Sequence, residues 1–460
     1  MKRPNILLLL PDQHRGDWMP YDEETFDRLA LPAIDLRMPT ISSLMERGTT
    51  FTDCISPSPI CAPARACLAF GSRYERCQVK DNTVNLPTDG ETLYNVLNDA
   101  GYRVMGSGKF DVHKATKYWG RDGWVKELGE LGFTRAIDNE GKFDAIIASV
   151  SHSAANPAGS IDGLIDLNAE NTRGPYIHHL HTKGLAAYHV ADFSRRLSNV
   201  YDIEFTELPE QDYCDNWITD NTIGLLAESD GTQPWFMQVN FTGPHDPWDI
   251  TRAMYEGVKD RLLPPTQGGD RQKETIIQEI RKRYAAMIEN IDGNIARILS
   301  FLATTGDLEN TIVIYCSDHG EMLGDHGLFG KAVAYRPSVH VPLVIAGPGV
   351  RAGHFSAAMV ELQDLSATIA DLAGAHTAFP DSMSLHTLLT DGGESHRPYQ
   401  YSALGRWRMV KDEHYKFVAG PTGPALYDIT ADPHELEDLA DCHPALCARY
   451  MDTINDASGI

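Results

Sequence analysis

Continuous apolar runs and helical apolar stripes alternate along the chain. The runs end at turn residues and lack regular polar alternation, a pattern typical of strands buried on both faces of a sheet. They cover residues 5–10, 103–105, 235–241, 311–316 and 341–346. Over residues 284–302, isoleucine and leucine instead recur every three or four positions, which predicts a helix with one face in the core. Alternating strands and helices predict an α/β fold in which helices cover both sides of a parallel or mixed sheet.

The pattern changes in the last part of the chain. From residue 402 the apolar runs are short and separated by turn residues, as in an antiparallel meander. A terminal helix is expected to begin near Pro444. We therefore predict a catalytic domain over residues 1–392 and a small C-terminal α+β subdomain with an antiparallel sheet over residues 393–460.

Composition and charge narrow the range of possible functions. Of the 460 residues, 42% are hydrophobic, which is enough for a large core, and the formal net charge is −24. A chain with this charge is a poor partner for nucleic acid or an anionic membrane surface, so we expect it to bind neither. The apolar run near the N-terminus is far shorter than the roughly 18 residues of a transmembrane helix. It is also too short for a secretory leader, so a cytoplasmic location is expected.

Polar clusters follow four of the predicted strands. They are P-D-Q at 11–13, G-K-F-D-V-H at 108–113, G-P-H-D-P-W at 243–248 and S-D-H-G at 317–320. Ligands of open α/β sheets bind at the carboxyl ends of the strands, so we expect the four clusters to form one composite site. An anionic substrate of this acidic chain would need positive charge concentrated within that site.

Two of these clusters contain candidate metal ligands. Asp12 and Gln13 would meet Asp318 and His319 if their two strands were neighbours. Oxygen ligands with one imidazole suit a hard divalent ion, and we expect Ca²⁺, with Mg²⁺ or Mn²⁺ as alternatives. The competing interpretation is a helix-capping aspartate beside a surface histidine.

Cys61 is the candidate nucleophile. The eight cysteines lack the paired spacing of a zinc ribbon. Cys61 opens the segment C-A-P-A-R-A-C-L-A-F-G-S-R, in which Pro63 and Arg65 follow at short offsets. A cysteine in this setting is a candidate nucleophile or metal ligand. The alternative is a buried structural thiol.

The Cys61 segment resembles the maturation motif of the type I sulfatases, a family of the alkaline phosphatase superfamily. Ala64 stands where serine is usual, and Phe70 where threonine is usual. Residues 5–13 and 317–327 are similar to the two metal-binding segments of the family. The resemblance covers nearly the whole chain. It implies an α/β/α sandwich of the alkaline-phosphatase type that hydrolyses a small carbohydrate, aryl or alkyl sulfate ester.

The resemblance also implies how the nucleophile arises. In this family a formylglycine-generating enzyme oxidises the cysteine, and the hydrated aldehyde attacks sulfur. A second hydroxyl group of the hydrate then allows sulfate to be expelled, a step that a serine could not perform. By resemblance, Cys61 becomes formylglycine and Arg65 holds its hydrate. Gln13 and His319 stand where many members carry aspartate and asparagine.

Four further residues receive roles from the resemblance. Lys109 and Lys331 would supply positive charge to the sulfate oxygens. His245 would donate a proton to the leaving alcohol, or a hydrogen bond to the bridging oxygen. Asp111 stands where the family usually has histidine, so His113 is a displaced candidate for assisting the diol. A structural role for His113 is the alternative.

Two other functions stay open. A phosphonate monoester or phosphodiester hydrolase of the same superfamily can use formylglycine and an Asp-His metal pair, although Lys109 favours a sulfatase. An inactive protein that binds sulfated ligands would keep Cys61 as a thiol, and the presence of Arg65 and Lys331 argues against it.

Two groups of residues are weaker candidates for substrate contact. One is a histidine-rich segment, expected to be a loop at a polar pocket or at the surface, with metal binding as an alternative; it contains His178, His179, His181 and His189. The other is a set of tryptophans that could stack on a ring or pack in the core, namely Trp18, Trp119, Trp248 and Trp407.

Overall fold

The computed structural model describes residues 3–148, 172–197, 199–375, 377–393 and 395–459. The strands are β1 (Asn5–Asp12), β2 (Gly48–Ile55), β3 (Arg103–Gly108), β4 (Arg135–Asp138), β5 (Trp235–Pro244), β6 (Thr311–Cys316), β7 (His340–Ala346), β8 (His354–Ser356), β9 (Val360–Glu361), β10 (Gln400–Leu404), β11 (Trp407–Lys411), β12 (Tyr415–Gly420) and β13 (Gly423–Asp428). The helices are α1 (Glu23–Arg28), α2 (Pro39–Arg47), α3 (Cys61–Phe70), α4 (Leu93–Asp99), α5 (Lys126–Glu130), α6 (Gly141–Ala148), α7 (Pro175–Thr182), α8 (Ala186–Arg196), α9 (Cys214–Ala227), α10 (Arg252–Glu256), α11 (Glu274–Thr305), α12 (Arg336–Val339), α13 (Asp364–Leu372), α14 (His386–Thr390) and α15 (Pro444–Ser458).

One large mixed sheet forms the centre of the molecule. In the described part of the chain it has nine strands, in the order β4-β3-β5-β1-β6-β7-β2-β8, with β9 beside β2. β1 pairs in parallel with β5 and β6, whereas β7 is antiparallel to both β6 and β2. Each of the five predicted apolar runs lies in one of these strands, so the predicted mixed sheet is confirmed.

Helices cover both faces of this sheet. Leu7 and Leu9 of β1 pack in one core with residues of α9 and α11. Leu8 and Leu10 face the opposite way and pack in a second core with residues of α3 and α13. Because successive residues of a strand point to opposite faces, the continuous apolar run of β1 fills both cores. This arrangement is the α/β/α sandwich.

The sequence pattern does not predict β2. Its sequence, G-T-T-F-T-D-C-I, mixes polar and apolar residues, although nearly all of it is buried. The hydroxyls of Thr49 and Thr52 donate to the backbone carbonyls of Arg351 and Ser356, at 3.1 and 3.3 Å. Burial of these threonines is therefore compensated by hydrogen bonds that the sequence pattern does not reveal.

The predicted helix over 284–302 lies within α11, which extends beyond it at both ends. Its apolar stripe, from Ile288 to Leu302, is buried against the sheet, as predicted. Among the described helices, α11 included, none combines the length and the apolar character needed to cross a membrane.

A small antiparallel sheet follows the large one along the chain. It consists of β10, β11, β12 and β13 in sequential order, and α15 begins at Pro444, both as predicted. Gln400 Nε2 donates to the carbonyl oxygens of Asp53 and Val360, which belong to the edge of the large sheet. The small sheet is therefore hydrogen-bonded to the large one, while the boundary at residue 392 stays a prediction.

Candidate active site

The carboxyl ends of β1 and β6 bring the two predicted metal segments together. The strands are parallel neighbours, with Leu9 opposite Tyr315. Just after β1, Gln13 has a φ of 75°, and its backbone N–H donates to Asp318 Oδ1 at 3.0 Å. The neighbouring strands on which the metal prediction depends are thus present, because the shared edge places both segments side by side.

Cys61 reaches the same point from a different element. It is the first residue of α3, where the positive end of the helix dipole favours a thiolate. Its Sγ atom lies 3.3 Å from His319 Nε2 and 3.6 Å from Asp12 Oδ1. Ligand atoms of these residues and of Asp318 all lie within 4.8 Å of one another, and all four side chains are buried.

This cluster fits a divalent cation. His319 Nδ1 lies 3.0 Å from the carbonyl oxygen of Gly320, so Nδ1 carries the proton and Nε2 presents its lone pair to the cluster. Burial and the nearby Asp12 raise the pKa of Asp318, since two buried carboxylates repel each other. A cation between the carboxylates would remove that repulsion.

Gln13, the fourth predicted ligand, lies beside the cluster with its amide already engaged. Its Oε1 atom accepts a hydrogen bond from Lys331 Nζ at 2.6 Å. Its Nε2 atom donates to Glu321, and to Asp246 Oδ1 at 3.3 Å. The amide is thereby fixed with its oxygen toward Lys331, and coordination by that oxygen stays a prediction.

Two lysine amines flank Cys61. Lys331 Nζ lies 3.2 Å and Lys109 Nζ 3.7 Å from Sγ, and Lys109 also pairs with Asp12. Burial and Asp12 oppose ionisation of the thiol, but the nearby positive charge, chiefly that of Lys109 and Lys331, outweighs them. The pKa of Cys61 therefore lies well below its ordinary value, and the position is suited to negative charge.

Arg65 forms ion pairs with both carboxylates of the cluster. Its buried guanidinium pairs with Asp318 at 2.9 Å and Asp12 at 3.3 Å. It also donates to the Lys109 carbonyl and to Asn240 Oδ1, at 2.7 and 2.9 Å. In the structure its partners are thus the predicted metal ligands, and its contact with the hydrate stays a prediction.

His245 carries a proton at neutral pH. Its Nδ1 lies 2.6 Å from the Asp246 carbonyl oxygen and 3.1 Å from Asp246 Oδ1. Burial and Lys331 lower the pKa of His245, but Asp246 and Asp12 raise it further, to about 9. An imidazolium held in this way can act as a proton donor.

His113 pairs with a buried carboxylate rather than with Cys61. Its Nε2 pairs with the buried Asp138 Oδ2 at 2.7 Å, and no contact in the described part of the chain joins it to Cys61. Asp111 instead pairs with Lys109 at 3.0 Å and with Lys114 at 3.3 Å. Assistance to the diol by His113 therefore stays a prediction, whereas its ion pair with Asp138 accounts for its burial.

Sequence reasoning missed three groups in the site. Asp246 holds His245, Glu321 accepts from Gln13, and Asn240 accepts from Arg65. Burial raises the pKa of Glu321 to about 7. Asp246 lies within the 243–248 cluster and Glu321 within the 317–327 segment, so their positions were a usable signal. Asn240, in the middle of an apolar strand, was also a signal, because buried polar side chains need partners.

Most of the histidines and tryptophans that were weaker candidates for substrate contact pack in the core or pair with other side chains. The histidine-rich segment forms α7 and α8, so the expected loop is wrong. His179 pairs with Asp212 at 2.7 Å, and buried His189 packs in the core. Three of the four tryptophans are also core residues, namely Trp18, Trp119 and Trp248. Trp407 is only partly buried and donates to the carbonyl of Ala332, next to Lys331, at 3.2 Å.

Comparisons with known proteins identify the family of the chain. The sulfatase family model matches residues 4–375, and the model for the C-terminal part of N-sulphoglucosamine sulphohydrolase matches residues 324–446. The choline-sulfatase of Rhizobium meliloti is 27% identical over 95% of this chain and 83% of that protein. An arylsulfatase of Clostridium perfringens is 25% identical over 95% of this chain and 90% of that protein. The phosphonate monoester hydrolase of Agrobacterium radiobacter shares the fold, with a TM-score of 0.75 and 21% identity over 99% of this chain and 96% of that one.

The α/β/α sandwich is the fold that this chain shares with the phosphonate monoester hydrolase. Because the family model spans most of its length, the chain belongs to the sulfatase family. Its reaction class is sulfuric ester hydrolysis. The membership predicted from the sequence and the predicted fold are both confirmed.

Proposed function

We propose that the protein hydrolyses a sulfate ester to an alcohol and inorganic sulfate, with a formylglycine made from Cys61 as the nucleophile. The position of Cys61 Sγ carries this proposal. The atom lies 3.2–3.7 Å from Lys331 Nζ, His319 Nε2, Asp12 Oδ1 and Lys109 Nζ. A nucleophile there is surrounded by groups that bind an anion and by groups that bind a cation.

The two lysines bind the sulfuryl oxygens. Charge spreads over these oxygens in the transition state, so fixed positive groups stabilise it more than they stabilise the substrate. Lys109 is held by Asp12 and Asp111, and Lys331 by Gln13. Because both amines are anchored before the substrate binds, little reorganisation accompanies the reaction.

His245 donates the proton that the leaving alcohol needs. Asp246 holds its Nδ1, which leaves Nε2 for the ester oxygen. With a pKa raised to about 9, the ring is protonated at neutral pH.

We propose that Asp12, Asp318 and His319 hold one divalent ion, Ca²⁺ before Mg²⁺ or Mn²⁺, with Gln13 as a further ligand. The bound ion supplies charge stabilisation to the sulfate and to the hydrate. Arg65 keeps the two carboxylates oriented toward it through its ion pairs.

The proposal includes a small sulfated substrate, maturation by a formylglycine-generating enzyme and a cytoplasmic location. The net charge of −24 supports a protein that binds neither nucleic acid nor an anionic membrane. The strong local positive charge beside Cys61 supports an anionic substrate despite that net charge.

The test compares wild type, Cys61→Ala and Cys67→Ala, each produced together with a formylglycine-generating enzyme. Cys67 lies on the same helix, in the core away from the cluster, and serves as the matched control. Sulfate release from p-nitrophenyl sulfate should disappear in the Cys61 variant and persist in the Cys67 variant. Sulfate release by the Cys61 variant would sink the proposal.

A phosphonate monoester hydrolase is the competing enzyme, and an inactive binding protein is the third alternative. The same preparations should hydrolyse p-nitrophenyl sulfate with a higher kcat/KM than p-nitrophenyl phenylphosphonate. A reversed preference would assign the protein to the phosphonate hydrolases. Binding of a sulfate ester without turnover, in protein whose residue 61 is oxidised, would favour the inactive alternative.

A further inference from the structure

A cavity of about 140 Å³ adjoins the catalytic residues. Lys109 and His245, the proposed sulfate-binding lysine and proton donor, both line it. A leaving group protonated by His245 has to lie next to that side chain. The cavity is therefore the place for the alcohol part of the ester, a conclusion that rests on the proposed function.

Ion-paired side chains form the other walls of the cavity. Lys114 Nζ lies 3.2 Å from Asp144 and 3.3 Å from Asp111. Asp144 also pairs with Lys117 at 3.1 Å. Lys114 and Asp144 line the cavity directly, so a lysine donor and a carboxylate acceptor face it side by side. Neighbouring hydroxyl groups match such a pair, because each hydroxyl both donates and accepts.

Asp111 links Lys114, in the wall of the cavity, to Lys109, the proposed sulfate-binding lysine. Its carboxylate pairs with Lys109 as well as with Lys114, and its side chain is buried. The aspartate that stands in place of the family's usual histidine thus fixes the distance between the sulfate-binding lysine and Lys114. A substrate that contacts both lysines must carry its hydroxyl groups close to the sulfate.

We propose that this cavity is the leaving-group subsite, and that Lys114 and Asp144 select sulfate esters of a small polyhydroxylated alcohol, such as a single sugar. The volume is below the roughly 300–1,000 Å³ of pockets for drug-sized ligands, which favours a single ring over a polymer.

The same walls disfavour a quaternary ammonium group. Such a cation is bound by several aromatic faces, whereas Phe143 is the one aromatic ring other than His245 that lines this cavity among the described residues. Three lysines also line it, namely Lys109, Lys114 and Lys142. The chain is therefore expected to differ in substrate from the choline-sulfatase to which it is similar.

The test uses two esters of the same shape. Glucose 6-sulfate carries ring hydroxyls, and cyclohexylmethyl sulfate replaces the sugar with a bare ring. For the formylglycine-bearing wild type, kcat/KM should be about 100-fold higher for glucose 6-sulfate, because the bare ring leaves Lys114 and Asp144 without new partners. Choline sulfate should be a poorer substrate than glucose 6-sulfate.

Lys114→Met and Asp144→Asn should each lower kcat/KM for glucose 6-sulfate by about 10-fold or more, mainly through KM. The fall for cyclohexylmethyl sulfate should be much smaller. Lys114→Arg, which keeps the donor, should recover part of the preference, and the exposed Lys126→Met is the matched control. Thermal unfolding of each variant verifies that it is folded.

The outcomes separate the two proposals. Equal rates on the two ring esters, or a preference for choline sulfate, would overturn the subsite and leave the sulfatase proposal standing. An equal loss on both esters in the Lys114 and Asp144 variants would also overturn it. Absence of turnover on every sulfate ester, with residue 61 shown to be formylglycine, would overturn the proposed function and the subsite together.

Discussion

The chemistry of individual residues in this site depends on how charges are arranged around one sulfur atom. Lys109 and Lys331 approach Cys61 Sγ, and Asp12 and Asp318, two of the proposed metal ligands, lie in the same cluster. The lowered pKa of the Cys61 thiol indicates that these surroundings favour negative charge at Sγ.

The first prediction concerns the pH dependence of activity. The pKa of His245 is raised to about 9, so the protonated ring persists below that pH and is lost above it. kcat/KM should therefore fall as the pH rises through about 9. His245→Gln should lower kcat/KM by roughly 10²–10⁴-fold and remove this alkaline limb. An unchanged limb in the variant would assign that limb to another group.

The second prediction concerns Lys331 and the unmodified thiol. In protein made without the maturation enzyme and treated with a chelator, the rate of alkylation of Cys61 reports its thiolate. Lys331→Met removes a positive charge 3.2 Å from Sγ, so the thiolate should appear at a higher pH than in wild type. Lys126→Met should leave that pH unchanged, since its side chain is exposed. Identical profiles for all three proteins would contradict the assigned electrostatics.

At the scale of single elements, helix α3 positions Cys61, and the residue that follows the helix has to be glycine. It begins at Cys61 and ends at Phe70, and the Gly71 that follows has a φ of 57°. A Cβ atom at Gly71 would lie 2.5 Å from the Cβ of Phe379, so both backbone conformation and space require glycine. The end of the helix is thereby fixed relative to the residues that follow α13.

Gly71→Ala should therefore destabilise the protein by about 2–4 kcal/mol, through strain and a steric clash. The matched control is Gly306→Ala at the end of α11, where φ is 80° but no atom lies within 4 Å of the added Cβ. That variant should cost only about 1 kcal/mol. Urea unfolding measures both, and equal costs would show that contact with Phe379 is unimportant.

At the scale of elements, the sequence predicted the strands and helices whose buried faces form an uninterrupted apolar pattern. The five apolar runs and the stripe of α11 lie in regular elements as predicted, because their patterns depend only on which faces are buried. β2 was missed, since its threonines pair with the carbonyls of Arg351 and Ser356, which are distant in sequence. The partners of Arg65 and the ion pair of Lys114 with Asp144 were missed for a similar reason: they depend on tertiary contacts.

For the whole molecule, hydrogen bonds join the small sheet to the large sheet. Buried Gln400 donates to the carbonyls of Asp53 and Val360 and accepts from Lys411 Nζ at 3.0 Å. Ala403 also donates its backbone N–H to the Pro57 carbonyl at 3.0 Å, close to the start of α3. The C-terminal segment therefore supports the loop that leads into the nucleophile.

Thermal unfolding of the wild type should accordingly show a single cooperative transition. Gln400→Leu leaves buried carbonyls without donors and should lower stability by about 2–4 kcal/mol without splitting the transition. Gln272→Leu, at an exposed position, should have little effect. Two separate transitions in the wild type would contradict the coupling of the sheets.

The account is tested most directly by the mass of the peptide that contains Cys61, in protein produced with a formylglycine-generating enzyme and assayed in parallel for sulfate release. Conversion of the thiol to the aldehyde removes about 18 Da. We predict that this loss occurs, and that the rate of sulfate release rises in proportion to the converted fraction across preparations. Sulfate release that is independent of the converted fraction would contradict the central role of Cys61.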